Sequence, residues 1–251
     1  MEWIAADWPA PAGIVAGCSV RQGGVSKGRY ASLNLGAHVG DDDAAVLENR
    51  RRLKARCDLP AEPGWLSQVH GTTVAVEPVA GALATADAAF TSNAAVVCAV
   101  LTADCLPVLF SSTDGSELAA AHAGWRGLNA GVLEATLGEF SVPPGKILVW
   151  LGPAISQAAF EVGGEVRDEF LATDAAAADC FVENQRGRWQ ADLYALARQR
   201  LAKLGITRVF GGNFCTYAEP DRFFSYRRDG ECGRMASFIY RAPPARTQCL
   251  K

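Results

Sequence analysis

Short apolar runs constrain this chain more than any other feature, at residues 14–20, 95–101, 106–111, 117–122 and 146–151. Runs of this length, bounded by turn residues, read as buried strands. Stretches of helical period lie between them. Residues 43–57 open with acidic side chains and place Val46, Leu47, Leu53 and Cys57 on one side. From 128 to 140, Leu128, Val132, Leu133, Leu137 and Phe140 form a stripe that predicts one helix. Asp192 is placed to cap a helix running to Leu204, with Gly205 as its stop. Strands and helices intermix without clean alternation, which favours a mixed sheet over a strictly parallel one. No linker or repeat divides the chain, so residues 1–251 are expected to form one α/β domain of the α+β kind.

Composition narrows the function. A net charge of −3 argues against a nucleic-acid binder, whose affinity rests on a basic surface. Nineteen of the 24 cationic side chains are Arg, which suits phosphate but also fits a plain compositional bias. No apolar run reaches the length of a membrane span, and Glu2 and Asp7 stand where a signal peptide would be basic. The eight cysteines include no CxxC spacing, which predicts scattered thiols in a reducing cytoplasm.

The chain has only three histidines, all candidates for one site. Two of them flank the cysteine placed to complete it. His70 lies in SQVHGTTV, Cys105 in TADCLPVLF and His122 in AAAHAGWRGL. Each falls at the edge of an expected strand, His70 just before one at 72–77, where binding residues on a rigid scaffold usually lie. Two imidazoles and one thiolate suit zinc, with a fourth position open for water or substrate. The spacing equally allows a hydrogen-bonded histidine pair beside a buried thiol. Asp104, next to the thiol, is a candidate to orient a ligand or act as general acid/base, or else a turn residue.

Taken together, SQVHGTTV, TADCLPVLF, AHAGWRG, RQGGVS, and FFSYRRDG followed by GRMASFI resemble the YfiH-like family. Its members carry the labels polyphenol oxidase, multicopper laccase and peptidoglycan editing factor. The resemblance runs from about Arg21 to Ile239. It implies a single-domain, layered α-β-β-α fold around a mixed sheet, shared with a bacterial toxin deamidase domain. It further implies a mononuclear zinc, with copper as the alternative metal, on His70, Cys105 and His122. The implied reactions are phosphorolysis of adenosine, inosine and methylthioadenosine, together with adenosine deamination. A multicopper oxidase needs more imidazoles than three histidines supply.

Those reactions nominate further residues. Asp104, Cys105 and His122 are the catalytic candidates, with Asp104 as proton shuttle in deamination. Arg21, Arg126 and Arg228 are candidate phosphate ligands beside glycines or small residues, with Arg227 inseparable from Arg228. Arg126 is favoured because it stands at the start of the expected 128–140 helix. Asn34, Asn49 and Gln68 are candidates for ribose or base edges, although such residues also cap helices and satisfy turns. Asp87 repeats the TAD of 102–104 and is expected near the pocket or in a turn. LGPAIS (151–156) and the aromatics Phe223, Phe224 and Tyr226 line the pocket or serve the core.

Three rival readings stay open. One is a cysteine hydrolase or amidase with a Cys105–His122 dyad. Another is a scaffold with a structural zinc. The third is hydrolysis of a misincorporated amino acid from a cell-wall precursor. The expected partners are a purine nucleoside and phosphate, with no nucleic acid or membrane, in a monomer or homodimer.

Overall fold

Two β-sheets share an apolar layer, and helices cover their outer faces. The computed structural model describes residues 2–243. The smaller sheet orders its strands Trp3–Ala5, Ile14–Ser19, Met235–Arg241 and Cys98–Thr102, all antiparallel. The larger runs Val209–Gly211, Ile147–Leu151, Leu106–Ser112, Leu118–Ala123, Ala88–Thr91 and Val74–Val76. Its outermost pairs are parallel and its inner pairs antiparallel, so the sheet is mixed, as expected.

Alternation along the strands builds three cores. In the strand Cys98–Thr102, Cys98 and Val100 face the layer between the sheets, where they meet Leu109, Leu118 and Trp150. Ala99 and Leu101 face the other way, against Leu53 of the helix Asp43–Arg56 and Trp65. In the larger sheet, Val108, Phe110, Ala119 and Ala121 pack against Leu133, Phe170, Leu196 and Leu201 of the helices on its outer side. The order is therefore helix, sheet, sheet, helix, a single domain of layered α-β-β-α type. Neither face of the central strands meets water. Their sequences accordingly read as continuous apolar runs rather than alternating ones.

The helices expected over 43–57 and after Asp192 both form, the first with a cap, Asp42, that the sequence reading did not name. Asp42 accepts from Ala45 N at 2.8 Å and Asp192 from Ala195 N at 2.9 Å, starting helices Asp43–Arg56 and Leu193–Lys203. Leu47 does not join the buried side of the first helix and is 70% exposed. Val46, Asn49 and Leu53 define that face, and Leu47 lies about 100° away from Val46 around the axis. The single helix expected over 128–140 is instead two, Trp125–Ala130 and Val132–Leu137. Gly131, with φ 102, breaks it in the left-handed region, which glycine enters without a Cβ penalty. The strand expected at 95–101 begins at Cys98, and that at 72–77 shortens to Val74–Val76. Among the described residues no helix is long and apolar enough to cross a membrane.

Candidate metal centre

The ladder between Leu106–Ser112 and Leu118–Ala123 pairs Pro107 with His122. That register brings Cys105, just before the first strand, close to His122 in the second. His70 arrives from the loop between Leu66–Ser67 and Val74–Val76, held at φ 62. The ligand atoms of His70, Cys105 and His122 all lie within 4.8 Å of one another. The Cys105 sulfur is 3.8 Å from His70 Nε2, and the two imidazole centroids are 4.7 Å apart at 73°. Gly124 makes the approach feasible. A Cβ there would stand 2.7 Å from His70 Cδ2 and 3.0 Å from the Cys105 sulfur.

One carboxylate organises both histidines. Asp87 is fully buried. Its Oδ1 accepts from His122 Nδ1 at 2.8 Å and from His70 N at 2.9 Å. Its Oδ2 accepts from Gly71 N at 2.7 Å and Val69 N at 3.1 Å. The His122 proton is thereby placed on Nδ1, leaving Nε2 as the ligand atom. The same carboxylate fixes the backbone around His70, offsetting the cost of its left-handed conformation.

Charge is distributed accordingly. Burial pushes the Asp87 carboxyl up, but hydrogen bonds from His122 and the 69–71 backbone outweigh it and hold the group below its ordinary range. Burial also works against the Cys105 thiolate. The charge of His122 and hydrogen bonds from both histidines overcome that and bring the thiol down to about 6. Burial disfavours the His122 imidazolium, yet Cys105 and Asp87 raise it to about 9. Soft sulfur and two imidazole nitrogens, with a carboxylate behind one ring, fit zinc or copper.

Asp104 has a different position. It lies at φ 94 and is nearly buried. Its Oδ1 accepts from Thr216 Oγ1 at 2.6 Å and its Oδ2 from Arg227 N at 2.7 Å. Both oxygens are therefore engaged in tying the Thr216 loop and the turn Tyr226–Asp229 to the site.

The triad opens into a cavity of about 390 Å³, within the roughly 300–1,000 Å³ typical of small-molecule sites. Among the nominated substrate residues, Gln68 and Arg126 line it. Gln68 spends its amide on the backbone of Leu101, donating at 2.8 Å and accepting at 2.7 Å. Arg126 is exposed, with its guanidinium 4.4 Å from the Trp125 ring centroid. Arg21, Arg228 and Asn34 stand outside the lining. Arg21 donates to the carbonyls of Ala31 and Pro220. Arg228 donates to those of Thr216, Tyr217 and Phe223. Asn34 bonds Gly36, Asp41 and Arg234 N, while Asn49 donates to Ser26, Ser32 and Asn34. Phe223 and Phe224 are core residues, whereas Tyr226 and Ile155 of LGPAIS line the cavity.

The remaining lining includes residues that sequence reasoning did not single out, Thr102, Trp125, Phe160 and Arg234, with Arg227 now separated from Arg228, and it includes His38, expected at the site with the other two histidines. His38 is the third histidine, and it shares the cavity without joining the ligand cluster. Arg234 stands in GRMASFI, a string legible as a motif but silent about where its side chain goes.

Fold and site together define a layered α/β protein with a His–Cys–His cluster in an arginine-lined cavity. Residues 15–242 match the family model described as multi-copper polyphenol oxidoreductase laccase, and the chain belongs to that family, the YfiH-like proteins. The purine nucleoside phosphorylase YfiH of Escherichia coli K12 is 55% identical over 240 residues, spanning 94% of this chain and 98% of that protein. A purine nucleoside phosphorylase of Pseudomonas aeruginosa is 54% identical over 239 residues, spanning 95% and 98%. The crystal structure of a Neisseria meningitidis protein superposes with a TM-score of 0.93 at 48% identity, covering 97% of this chain and all of that one. YlmD from Geobacillus stearothermophilus follows at 0.88 and 32%, with 97% of each chain covered.

Proposed function

We propose that this chain is a zinc-dependent purine nucleoside phosphorylase acting on adenosine, inosine and methylthioadenosine, with adenosine deamination as a second reaction. The observation that carries the reading is the His70–Cys105–His122 cluster in a cavity lined by three arginines and one carboxylate, Asp104, whose oxygens are already engaged. Such a lining favours an anionic co-substrate. The relatives named as purine nucleoside phosphorylases supply the substrate class.

Zinc held by His70, Cys105 and His122 would supply a Lewis acid. The chain's own residues do the rest. Asp87 holds the His122 proton at Nδ1 and fixes the His70 backbone. Asp104 positions the cavity wall, a role its two hydrogen bonds support better than a proton shuttle does. Among the described residues Arg126 donates no hydrogen bond to protein, which leaves its guanidinium available to phosphate. In phosphorolysis a phosphate oxygen bonds C1′ as the C1′–N9 bond breaks. The bonding pair leaves on the purine, and the proton given up by hydrogen phosphate ends on the departing base.

Deamination is supported by the donor set itself, since zinc nucleobase deaminases use closely similar His/Cys ligation. A cysteine hydrolase is the rival, because the Cys105 thiol lowered by His122 also suits a nucleophile. Seven free thiols among the described residues support a reducing, cytoplasmic setting.

Zinc-loaded protein given adenosine and phosphate is expected to yield adenine and ribose 1-phosphate, and without phosphate inosine and ammonia. Absence of all these products, beside release of serine from a muramoyl-serine cell-wall precursor, would transfer the site to hydrolysis. Activity that survives chelation but not thiol alkylation would favour the dyad.

A further inference from the structure

Thr102 ends the strand Cys98–Thr102 and lines the cavity, yet it is only 1% exposed. Its Oγ1 is buried and finds no hydrogen-bond partner among the described residues. Buried hydroxyls are almost always satisfied, so an orphan in a cavity wall points to a ligand that completes it. Thr102 pairs across the sheet with Met235, whose chain neighbour Arg234 lines the same cavity. Arg234 Nη1 donates to the carbonyls of Cys232 and Gly233 at 2.8 and 3.1 Å. Its Nε and Nη2 donate to no protein group among the described residues.

The third member is carried in on Arg234. Asn34 Oδ1 accepts from Arg234 N at 2.9 Å, and a Cβ on Gly36 would stand 2.8 Å from Arg234 Cγ. The loop packed there delivers His38 to the cavity wall two residues later. Burial first, then the charges of Arg234, Arg50 and His122, hold the His38 imidazole below its ordinary value. It is therefore neutral at neutral pH and keeps one N–H to donate.

We propose that Thr102, Arg234 and His38 form a seat for an oxyanion, occupied by inorganic phosphate during the phosphorolysis proposed above. All three present donors, and the carboxylate that lines the same cavity, Asp104, is already engaged with Thr216 and Arg227. A guanidinium fork, a hydroxyl and an imidazole N–H are a donor set that suits the several acceptor oxygens of phosphate. Arg126, being exposed, is an outer contact, because solvent screens its charge more than that of half-buried Arg234. This inference rests on the phosphorylase reading for the identity of the anion, but not for the existence of the seat.

The test uses the zinc-loaded full chain with inorganic phosphate as probe. Thr102→Val keeps the β-branched shape that the strand accepts and removes only the hydroxyl. It is expected to raise KM for phosphate about tenfold, and Arg234→Ala roughly 100-fold, the range for losing neutral and charged hydrogen bonds. His38→Gln is expected to fall between them. KM for the nucleoside should move less than about twofold, with zinc content and Tm of Thr102→Val at wild-type values. Phosphate binding by 31P NMR without nucleoside should weaken in the same order.

Unchanged phosphate KM and binding in folded, zinc-loaded Thr102→Val and His38→Gln would overturn the seat. So would a rise confined to nucleoside KM, which would give these residues to the ribose. Wild-type protein that binds phosphate through these side chains but shows no phosphorolysis would keep the seat and remove the phosphorylase reading.

Discussion

Around Asp87, each oxygen of a fully buried carboxylate accepts two hydrogen bonds, and His122 and the backbone of His70 are both held in place. Around Thr102, in the same cavity, a buried hydroxyl has no partner among the described residues, and the Arg234 guanidinium keeps two of its nitrogens unused by any described protein group. The two corners come from different sheets, yet one is closed upon itself and the other is incomplete. A metal site gains from closure, because ligands locked in place spend no further entropy and reject the wrong geometry. A substrate site gains from incompleteness, because the missing hydrogen bonds are those the substrate supplies.

The largest effect should come from breaking the closed corner at its ligands. Cys105→Ser should abolish stoichiometric zinc by elemental analysis. Activity should then fall by more than the roughly 100-fold that loss of a supporting partner costs. Retention of both would move the metal elsewhere. Asp87→Asn should come next. It keeps the shape but turns an acceptor into a donor beside His122 Nδ1, so zinc affinity in a chelator competition should drop roughly 10- to 100-fold. A normal affinity would mean that the 69–71 backbone holds His70 without help.

Smaller effects sharpen the comparison from the open side. Arg126→Ala should lower the phosphate-dependent rate several-fold and deamination less, since a partly screened phosphate contact contributes on the order of 1 kcal/mol. Equal loss of both rates would show that Arg126 serves the nucleoside. Arg21→Ala should leave phosphate KM at its wild-type value while lowering Tm by a few degrees. Its guanidinium ties Ala31 and Pro220 together and stacks 4.7 Å from the Phe224 centroid. A raised phosphate KM in that variant would return Arg21 to the site.

Much of this arrangement was legible before any coordinates. The strands around Val108 and Ala120 were readable because burial on both faces leaves an uninterrupted apolar string. Asp192 announced its helix because a cap is a local hydrogen bond, whereas the Asp42 cap became visible only in the structure. His70, Cys105 and His122 stood out through rare residue types in recognisable strings. Arg21, Arg228 and Asn34 look equally functional but meet protein groups and stand outside the cavity lining, because a string of residues does not tell whether a donor will meet a carbonyl or a ligand. The 128–140 stripe predicts one helix, since hydrophobic period survives a single left-handed glycine at 131.

What the sequence by itself determined is therefore the set of elements, the two-sided burial of the central strands and the identity of the cluster His70, Cys105 and His122. Those properties follow from periodicity and from side-chain chemistry, both of which act over a few residues. Only the tertiary structure decided that Asp104 would be taken up by Thr216, 112 positions away. The same is true of Arg234, which pairs through its backbone with Asn34, 200 positions earlier, and so brings His38 into the cavity. Contacts of that span depend on how the two sheets stack and register. No local pattern encodes which unsatisfied donor will be left facing the open space between them.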